Sequence, residues 1–144
     1  MYKHLLIATD GSELAQKAVD HGLALAKALS AKATVVTVTE PWEVVVLDGA
    51  IVFPPDDYEE SVAAGAAKIL IGANEAAEMI SVCCETLHVK DRHPGEGIVG
   101  MAKEKQCDLI VMGSHGRRGL GRLILGSVAN EVVTHSTIPV LIYR

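Results

Sequence analysis

Short apolar runs recur along this chain and alternate with segments of helical periodicity. The runs have the length of β-strands, are rich in Val, Ile, Leu and Thr, and cover residues 4–9, 33–39, 82–89, 108–113 and 138–143. A strand that is apolar on both faces is typical of a parallel sheet buried between two other layers. The pattern therefore predicts a central sheet of five parallel strands.

Helical segments separate these runs. Apolar residues at helical spacing predict a first helix over residues 12–30, directly after the turn signal Asp10-Gly11-Ser12. Three further helices are predicted from about residue 57 to about 80, over 96–106 and over 127–135, with Pro94 and Gly95 interpreted as chain breakers. Residues 40–56 contain several prolines and are interpreted as an irregular loop.

Helices that connect parallel strands cover both faces of the sheet, so the pattern predicts a three-layer α/β/α sandwich. A strand order of 3-2-1-4-5 would reverse between strands 1 and 4, and ligands of such sheets bind outside the carboxyl ends of the strands at that point. The turn after strand 1 is Asp10-Gly11-Ser12, and the turn after strand 4 is Gly113-Ser114-His115-Gly116. The order therefore predicts a ligand site where these two polar turns face each other.

The length of 144 residues suits a single domain over residues 1–144. A net charge of −5 argues against a general binder of nucleic acid or anionic membranes. No apolar run approaches the ~20 residues of a membrane helix, and no signal peptide precedes the first strand. The three cysteines form no CxxC pair and do not resemble a disulfide framework. We therefore expect a cytoplasmic protein with no nucleic-acid and no membrane partner.

A glycine-spaced segment runs from Gly113 to Ser127, between a predicted buried strand and a predicted helix. Gly113 and Gly116 let the backbone turn and approach a ligand closely. Gly126 and Ser127 fall where the helix begins, and the N–H groups and dipole at a helix start favour phosphate. Three arginines add positive charge in an acidic chain: Arg117, Arg118 and Arg122. The segment predicts a phosphate site that is not a Walker A loop, because it lacks the Gly-Lys-Ser/Thr ending.

The segment VMGSHGRRGLGRLILGSV, residues 111–128, resembles the nucleotide motif of the universal stress protein family. The motif reads Gly-x2-Gly-x9-Gly-Ser/Thr and is matched at Gly113, Gly116, Gly126 and Ser127. The beginning of the chain (residues 4–13) and its ending (residues 138–142) are also similar to the family, so the resemblance covers essentially the whole chain.

The resemblance implies a Rossmann-like fold, similar to that of the adenine nucleotide alpha hydrolases, which binds ATP with Mg²⁺ held mainly through the phosphates. Thr9 and Asp10 would border the nucleoside, and Val38 would line the adenine pocket. The nucleotide-binding residues that it implies are Ala8, Thr9, Asp10, Val38, Met112, Gly113, Ser114, His115, Gly116, Arg117, Gly126, Ser127, Val128 and Ala129. It also implies a homodimer that pairs through the final strand, residues 138–143. One departure from the family is Arg92, at a position where family members often have glycine.

Several polar residues have two interpretations. Asp10 suits contact with ribose, adenine or a hydrated metal, and it also suits capping of the first helix with Glu13 at the third helical position. His115 lies inside the glycine motif and is expected to contact ligand, without a catalytic role. The other histidines lack metal-ligand spacing, and we predict no metal site formed by side chains and no catalytic residue. Buried packing is the expected role of Cys83 and Cys84.

Three functions compete at this stage. The first is an ATP-binding stress-response or signalling module with at most slow ATP hydrolysis or self-phosphorylation. The second is a nucleotide-hydrolysing or phosphotransfer enzyme, for which the sequence identifies no base. The third is a nucleotide-free structural dimer, which the intact motif disfavours. AMP or cyclic AMP in the same pocket is a related alternative to ATP.

Overall fold

The structure, a computed structural model, describes residues 1–116 and 124–144. In chain order the elements are β1 (His4–Ala8), α1 (Glu13–Leu29), β2 (Lys32–Thr39), β3 (Val45–Leu47), β4 (Ala50–Val52), α2 (Tyr58–Met79), β5 (Cys84–Lys90), α3 (Pro94–Glu104), β6 (Leu109–Gly113), α4 (Ser127–His135) and β7 (Val140–Tyr143). The seven strands form two separate sheets.

The main sheet has five parallel strands in the order β5-β2-β1-β6-β7. Counted along the chain without the two short strands of the other sheet, this order is third, second, first, fourth, fifth. Its register places Leu5 of β1 beside Ala33 of β2 on one side and Leu109 of β6 on the other. The reversal of strand order therefore lies between β1 and β6.

Alternation along the strands divides the core into two halves, one on each face of the sheet. On one face, Leu5, Ile7 and Val35 pack with α1 and α2 through residues that include Leu23 and Leu70. On the other face, residues of the same strands pack with α3 and α4: Leu6, Ala8, Val36, Ile110 and Met112 against Ile98, Ala102, Ala129 and Val132. This arrangement confirms the predicted α/β class, with a five-stranded parallel sheet between two helical layers.

Two sequence predictions need correction. Residues 40–56 are not wholly irregular, because β3 and β4 form an antiparallel hairpin within them. Its two-residue turn, Asp48-Gly49, has φ angles of 49° and 79°, and this left-handed backbone at both positions is typical of tight hairpins. The third predicted helix begins at Pro94 rather than at residue 96, since proline fits the first position of a helix, where no N–H bond is needed.

Candidate functional site

The carboxyl ends of β1 and β6 bring the two predicted polar turns together. A side chain added at Gly116 would collide with Oδ2 of Asp10, so the turn after β6 lies directly against the turn after β1. Gly113 also lies near the start of α1, because an added Cβ would lie 3.4 Å from Cγ of Leu14. The two turns therefore meet at the reversal point of the sheet, and glycine permits their close approach.

The turn after β1 is held by its own side chains. The backbone N–H of Thr9 donates to the carbonyl of Val36 over 3.0 Å, which extends the β1–β2 pairing by one residue. The Oδ1 atom of Asp10 accepts from the N–H of Ser12 over 2.9 Å. Ser12 is the N-cap of α1, and its hydroxyl accepts from the N–H of Ala15 over 3.2 Å.

These contacts exclude one of the two roles left open for Asp10, and its contact with ligand stays a prediction. The capping role is wrong, because Ser12 caps α1 and Glu13 is the first residue of the helix rather than the third. Ser12 is two residues closer to the helix than Asp10, so its hydroxyl reaches the free N–H groups of the first turn more directly. Asp10 instead shapes the turn, with its carboxylate beside Gly116.

The start of α4 is joined to the end of β6. The N–H of Gly126 donates to the carbonyl of Ser114 over 2.7 Å, and the N–H of Ser114 donates to the carbonyl of Tyr143 over 2.8 Å. A Cβ at Gly126 would lie 3.0 Å from both the Ser114 oxygen and Cα of His115. The two ends of the glycine-spaced segment are thus fixed next to each other by backbone contacts.

The N-terminus of α4 differs from that of α1. Gly126 is its N-cap and has no side chain, so no side-chain cap closes the helix. Within residues 1–116 and 124–144, no group accepts from the N–H groups of Ser127, Val128 and Ala129. These are the helix positions whose N–H groups lack a partner inside the helix, and the positive end of the dipole adds to them.

His115 and Ser114 form a pair at the mouth of this junction. Ser114 is buried, and its hydroxyl lies 3.1 Å from Nδ1 of the half-buried His115. One imidazole nitrogen is therefore engaged by a neighbouring hydroxyl, which fixes the ring beside the backbone that Gly126 approaches.

Three of the apolar residues implied as nucleotide contacts share one face of the sheet. Ala8, Val38 and Met112 belong to the half of the core that packs on α3 and α4, and Val128 and Ala129 of α4 join the same cluster. Val38 is half-buried near the end of β2, and a Cβ at Gly97 of α3 would lie only 2.8 Å from its Cγ1 atom. Arg117 lies outside the described residues.

Two residues that shape this region were not predicted from the sequence. Tyr143 supplies the carbonyl that holds Ser114, and Gly97 allows α3 to approach Val38. A glycine inside a predicted helix was an available signal for close approach, because glycine is costly there. The last residue of an edge strand carries no comparable signal.

Burial shifts the pKa of two titratable side chains of the sheet region. Burial, together with the charge of Lys90, lowers the pKa of His88, whose Nε2 lies 2.7 Å from the hydroxyl of Thr39. Burial raises the pKa of the Cys107 thiol to about 11. Cys84 packs against the core, but Cys83 precedes β5 and is exposed, so the expected burial of Cys83 is wrong.

Neither a metal-binding cluster nor a membrane-spanning helix is found in the part of the chain that the structure describes. No group of three His, Cys, Asp or Glu side chains there lies close enough together to hold a metal ion. No helix in that part is both long and apolar enough to cross a membrane.

Arg92, the residue at which family members often have glycine, lies against α3. Its N–H donates to the carbonyl of Thr39 over 3.4 Å, and its Nη1 atom would lie 3.4 Å from a Cβ at Gly100. The next residue, His93, is the N-cap of α3, and its Nδ1 lies 3.9 Å from the carboxylate of Glu40.

Comparison with known proteins gives a consistent result. A family model described as the universal stress protein family matches residues 1–144. The chain is 37% identical to universal stress protein YxiE of Bacillus subtilis, over the full length of both proteins. It is similar in structure to protein MJ0577 of Methanocaldococcus jannaschii, with a TM-score of 0.81, 25% identity, and coverage of 99% of this chain and 96% of that one. It is also similar to a universal stress protein solved in complex with cAMP, with a TM-score of 0.73, 28% identity, and coverage of 99% and 97%.

Proposed function

Because the chain belongs to the universal stress protein family, we propose that it binds an adenine nucleotide, ATP with Mg²⁺, at the junction of β1, β6 and α4. In this proposal it acts as a nucleotide-dependent stress-response or signalling module of the cytoplasm. The proposal concerns binding first, and hydrolysis only as a slow side reaction.

The observation that carries the proposal is the difference between the two helix starts at the junction. Hydroxyl and carboxylate groups of its own turn occupy the start of α1, whereas the start of α4 has no side-chain cap and no acceptor within the described ranges. Backbone N–H groups at a helix start bind phosphate oxygens well. We propose that Ser127, Val128 and Ala129 donate to the phosphates while Gly126 stays bonded to Ser114.

The nucleoside end follows from the sheet face that leads to α4. Val38 is half-buried on that face, Ala8 and Met112 are buried in the same cluster, and Thr9 and Asp10 provide polar groups at its edge. We propose that adenine lies against Val38 and ribose beside Asp10. Apolar walls with a few polar groups at one end are typical of small-molecule sites.

Mg²⁺ enters this proposal with the nucleotide. It would be held by phosphate oxygens and water, a mode of binding that Mg²⁺ commonly adopts with nucleotides. The chemistry that the ion supplies is neutralisation of phosphate charge, and the protein residues act by binding and orienting the phosphates.

We propose slow turnover because we identify no base for an attacking water among the described residues of the junction. The nearest imidazole, that of His115, has Nδ1 engaged with the hydroxyl of Ser114. Phosphoryl transfer needs a positioned nucleophile in addition to charge stabilisation. We expect hydrolysis far below the typical enzyme turnover of ~10 per second, measured as phosphate release with and without Mg²⁺. Turnover near that value would contradict the proposal.

Mass spectrometry of ligand released from the purified protein is the direct test of nucleotide binding, followed by calorimetric titration with Mg-ATP.

Gly126→Ala should weaken ATP binding by at least about tenfold, since the added Cβ meets backbone atoms of Ser114 and His115 and displaces the start of α4. Gly116→Val should weaken it as well by displacing Asp10. The matched control is Gly72→Ala, where a Cβ meets nothing within 4 Å. Unchanged affinity in both site variants would refute the assigned site.

Cyclic AMP is a second candidate ligand, favoured by the similar universal stress protein that was solved in complex with cAMP. Cyclic AMP and AMP carry one phosphate each, so they present fewer phosphate oxygens than ATP to the N–H groups at the start of α4. Competition titrations of ATP, AMP and cyclic AMP decide between them. If cyclic AMP bound more tightly than ATP, the proposed function would change from an ATP-dependent signalling module to a cyclic-nucleotide regulator.

A further inference from the structure

The hairpin of β3 and β4 presents an apolar face that no described part of the chain covers. Its register pairs Val46 with Ile51 across the strands. Alternation places Val44 and Phe53, which flank the two strands, on the same side as this pair. We call these four residues the hairpin face.

All four residues are large, apolar and exposed, and the most exposed of them is Phe53 at 77%. The opposite side of the hairpin also carries exposed side chains, Val45 and Leu47. A two-stranded hairpin is marginally stable in water unless another layer or strand packs on it. Contiguous exposed apolar residues of this kind mark binding surfaces in proteins.

The segment of the chain that contains the hairpin carries charge of one sign. The stretch from residue 33 to residue 67 contains seven acidic residues and no Lys, Arg or His. All seven are exposed, and they flank the hairpin or occupy its turn: Glu40, Glu43, Asp48, Asp56, Asp57, Glu59 and Glu60. We call these seven residues the acidic rim; one of them, Glu40, lies 3.9 Å from Nδ1 of His93.

We propose that the hairpin face is a docking surface for a partner protein that presents a cationic amphipathic helix, with apolar residues toward the hairpin and Lys or Arg toward the acidic rim. Helices bind apolar surfaces in this way through residues at helical spacing, and complementary charge guides their approach. The proposal is independent of the nucleotide site.

The acidic rim also argues against three other occupants. A second copy would bring its own seven acidic residues to the same contact, and facing like charges oppose association. An anionic membrane surface and a nucleic acid carry the same sign as the rim and would be repelled. Charge complementarity therefore favours a basic protein segment.

Trp42 makes the hairpin easy to monitor. It is the only tryptophan of the chain, and its ring packs edge-on against Tyr58 at the start of α2, with centroids 4.8 Å apart. Trp42 lies three residues before the hairpin. A partner that docks on the hairpin face should change its fluorescence.

The test titrates the full-length protein with a synthetic peptide of Leu and Lys, with leucines at helical spacing and no aromatic residue, while tryptophan fluorescence is recorded. We expect saturable binding that weakens as salt is added. The double substitution Val46→Thr/Ile51→Thr keeps β-branched residues in both strands and should lower the affinity at least about tenfold. A Leu/Glu peptide of the same pattern should not bind.

The matched control is Ile71→Thr on α2, which removes an apolar side chain of similar exposure outside the hairpin. It should leave peptide affinity within about twofold. Equal losses in control and hairpin variant, undiminished affinity in the hairpin variant, or equal binding of the Leu/Glu peptide would each overturn the proposal. It would also be overturned by binding of phosphatidylserine vesicles that depends on Val46 and Ile51. Self-association of the wild type that is lost only in the hairpin variant would overturn it as well, because a second copy would then be the occupant.

Discussion

Single glycines show at the residue scale how tightly the helices pack on the sheet. A Cβ at Gly22 of α1 would lie 2.8 Å from Cδ1 of Ile7 and 3.3 Å from Cγ1 of Val111, all in the buried core. Gly22→Ala should therefore lower the free energy of unfolding by about 1 kcal/mol, because overpacking outweighs the gain in helix propensity. Urea denaturation of the variant and the wild type measures the difference.

Gly72→Ala on α2 serves as the control for this prediction. Gly72 is exposed and a Cβ there meets nothing within 4 Å, so only helix propensity changes. The substitution should raise the free energy of unfolding by roughly 0.5–1 kcal/mol. A Gly22→Ala variant as stable as Gly72→Ala would show that the α1–β1 contact has room for a methyl group.

His4 makes the stability of the protein depend on pH. Its Nε2 atom lies 2.7 Å from the hydroxyl of Thr34, both residues are buried, and burial together with the charge of Lys32 lowers the pKa of His4 below 6.5. The unfolded chain therefore binds a proton more readily than the native chain just below pH 6.5. The contribution of His4 to stability is complete above pH 6.5 and is lost as the pH falls through the lower native pKa.

We expect His4→Gln, which keeps a hydrogen-bonding side chain beside Thr34, to flatten this dependence. Denaturation at pH 7 and at about pH 5 should show a smaller loss of stability in the variant than in the wild type. Substitution of the exposed His135 by glutamine is the control and should leave the difference unchanged. An identical pH dependence in wild type and His4→Gln would remove His4 from this explanation.

The approach of the two polar turns was predictable from sequence where it depends on spacing. Gly116 and Gly126 were assigned from the interval between them, and the structure places both against backbone or side chains of the opposing turns. Hydrogen-bond partners were not predictable. The pattern of residue types does not tell whether Asp10 or Ser12 caps α1, or whether the N–H of Gly126 has a partner. Both depend on exact atomic positions, which can differ between sequences that share the same pattern.

At the scale of elements, the hairpin was missed for a physical reason. The hairpin is bracketed by Pro41, Pro54 and Pro55, which indicate a loop. Each of its two strands has only three residues, which is too short for a clear strand pattern. The overlooked signal is Asp48-Gly49 between two short apolar runs that contain β-branched residues, since this pair suits the left-handed backbone of a two-residue turn. The strands of the main sheet were easier to predict, because burial on both faces leaves a continuous apolar run.

Contact between α3 and β2 connects packing to the proposed adenine pocket. A Cβ at Gly97 would lie 2.8 and 3.0 Å from the two methyl carbons of Val38, whose branched side chain has few alternative rotamers. Gly97→Ala should push Val38 and lower ATP affinity by about three- to tenfold without any contact to the nucleotide. Calorimetric titration measures the change.

Gly100→Ala on the same helix is the control for Gly97→Ala. The nearest atom to its Cβ would be Nη1 of Arg92 at 3.4 Å, the end of a long flexible side chain. ATP affinity should stay within about twofold of the wild type. If Gly100→Ala weakened binding as much as Gly97→Ala, the effect would belong to α3 as a whole rather than to Val38.

For the whole molecule, the exposed edges of the sheet determine how it can assemble. β7 lies at one edge, and its residues are apolar and half-buried. The carbonyls of Pro139 and Tyr143 accept from Ile110 and Ser114 of the β6 side, so alternation turns the N–H and carbonyl groups of Val140 and Ile142 outward. An apolar edge with unpaired backbone groups favours pairing with another strand.

We predict a homodimer in which the β7 strands of two copies pair through these outward groups, since a two-fold axis makes one strand complementary to itself. Val140→Pro removes one outward N–H and leaves the β6–β7 contacts of Pro139 and Tyr143 in place, as proline is tolerated at a sheet edge. Light scattering should find a dimeric wild type and a monomeric variant. ATP affinity should be unchanged, because each subunit would carry its own junction of β1, β6 and α4.

A wild type that stays monomeric at micromolar concentration would exclude the dimer as the working unit. A variant that loses ATP binding along with the dimer would show instead that the hydrogen bond from Ser114 to Tyr143 couples the sheet edge to the site.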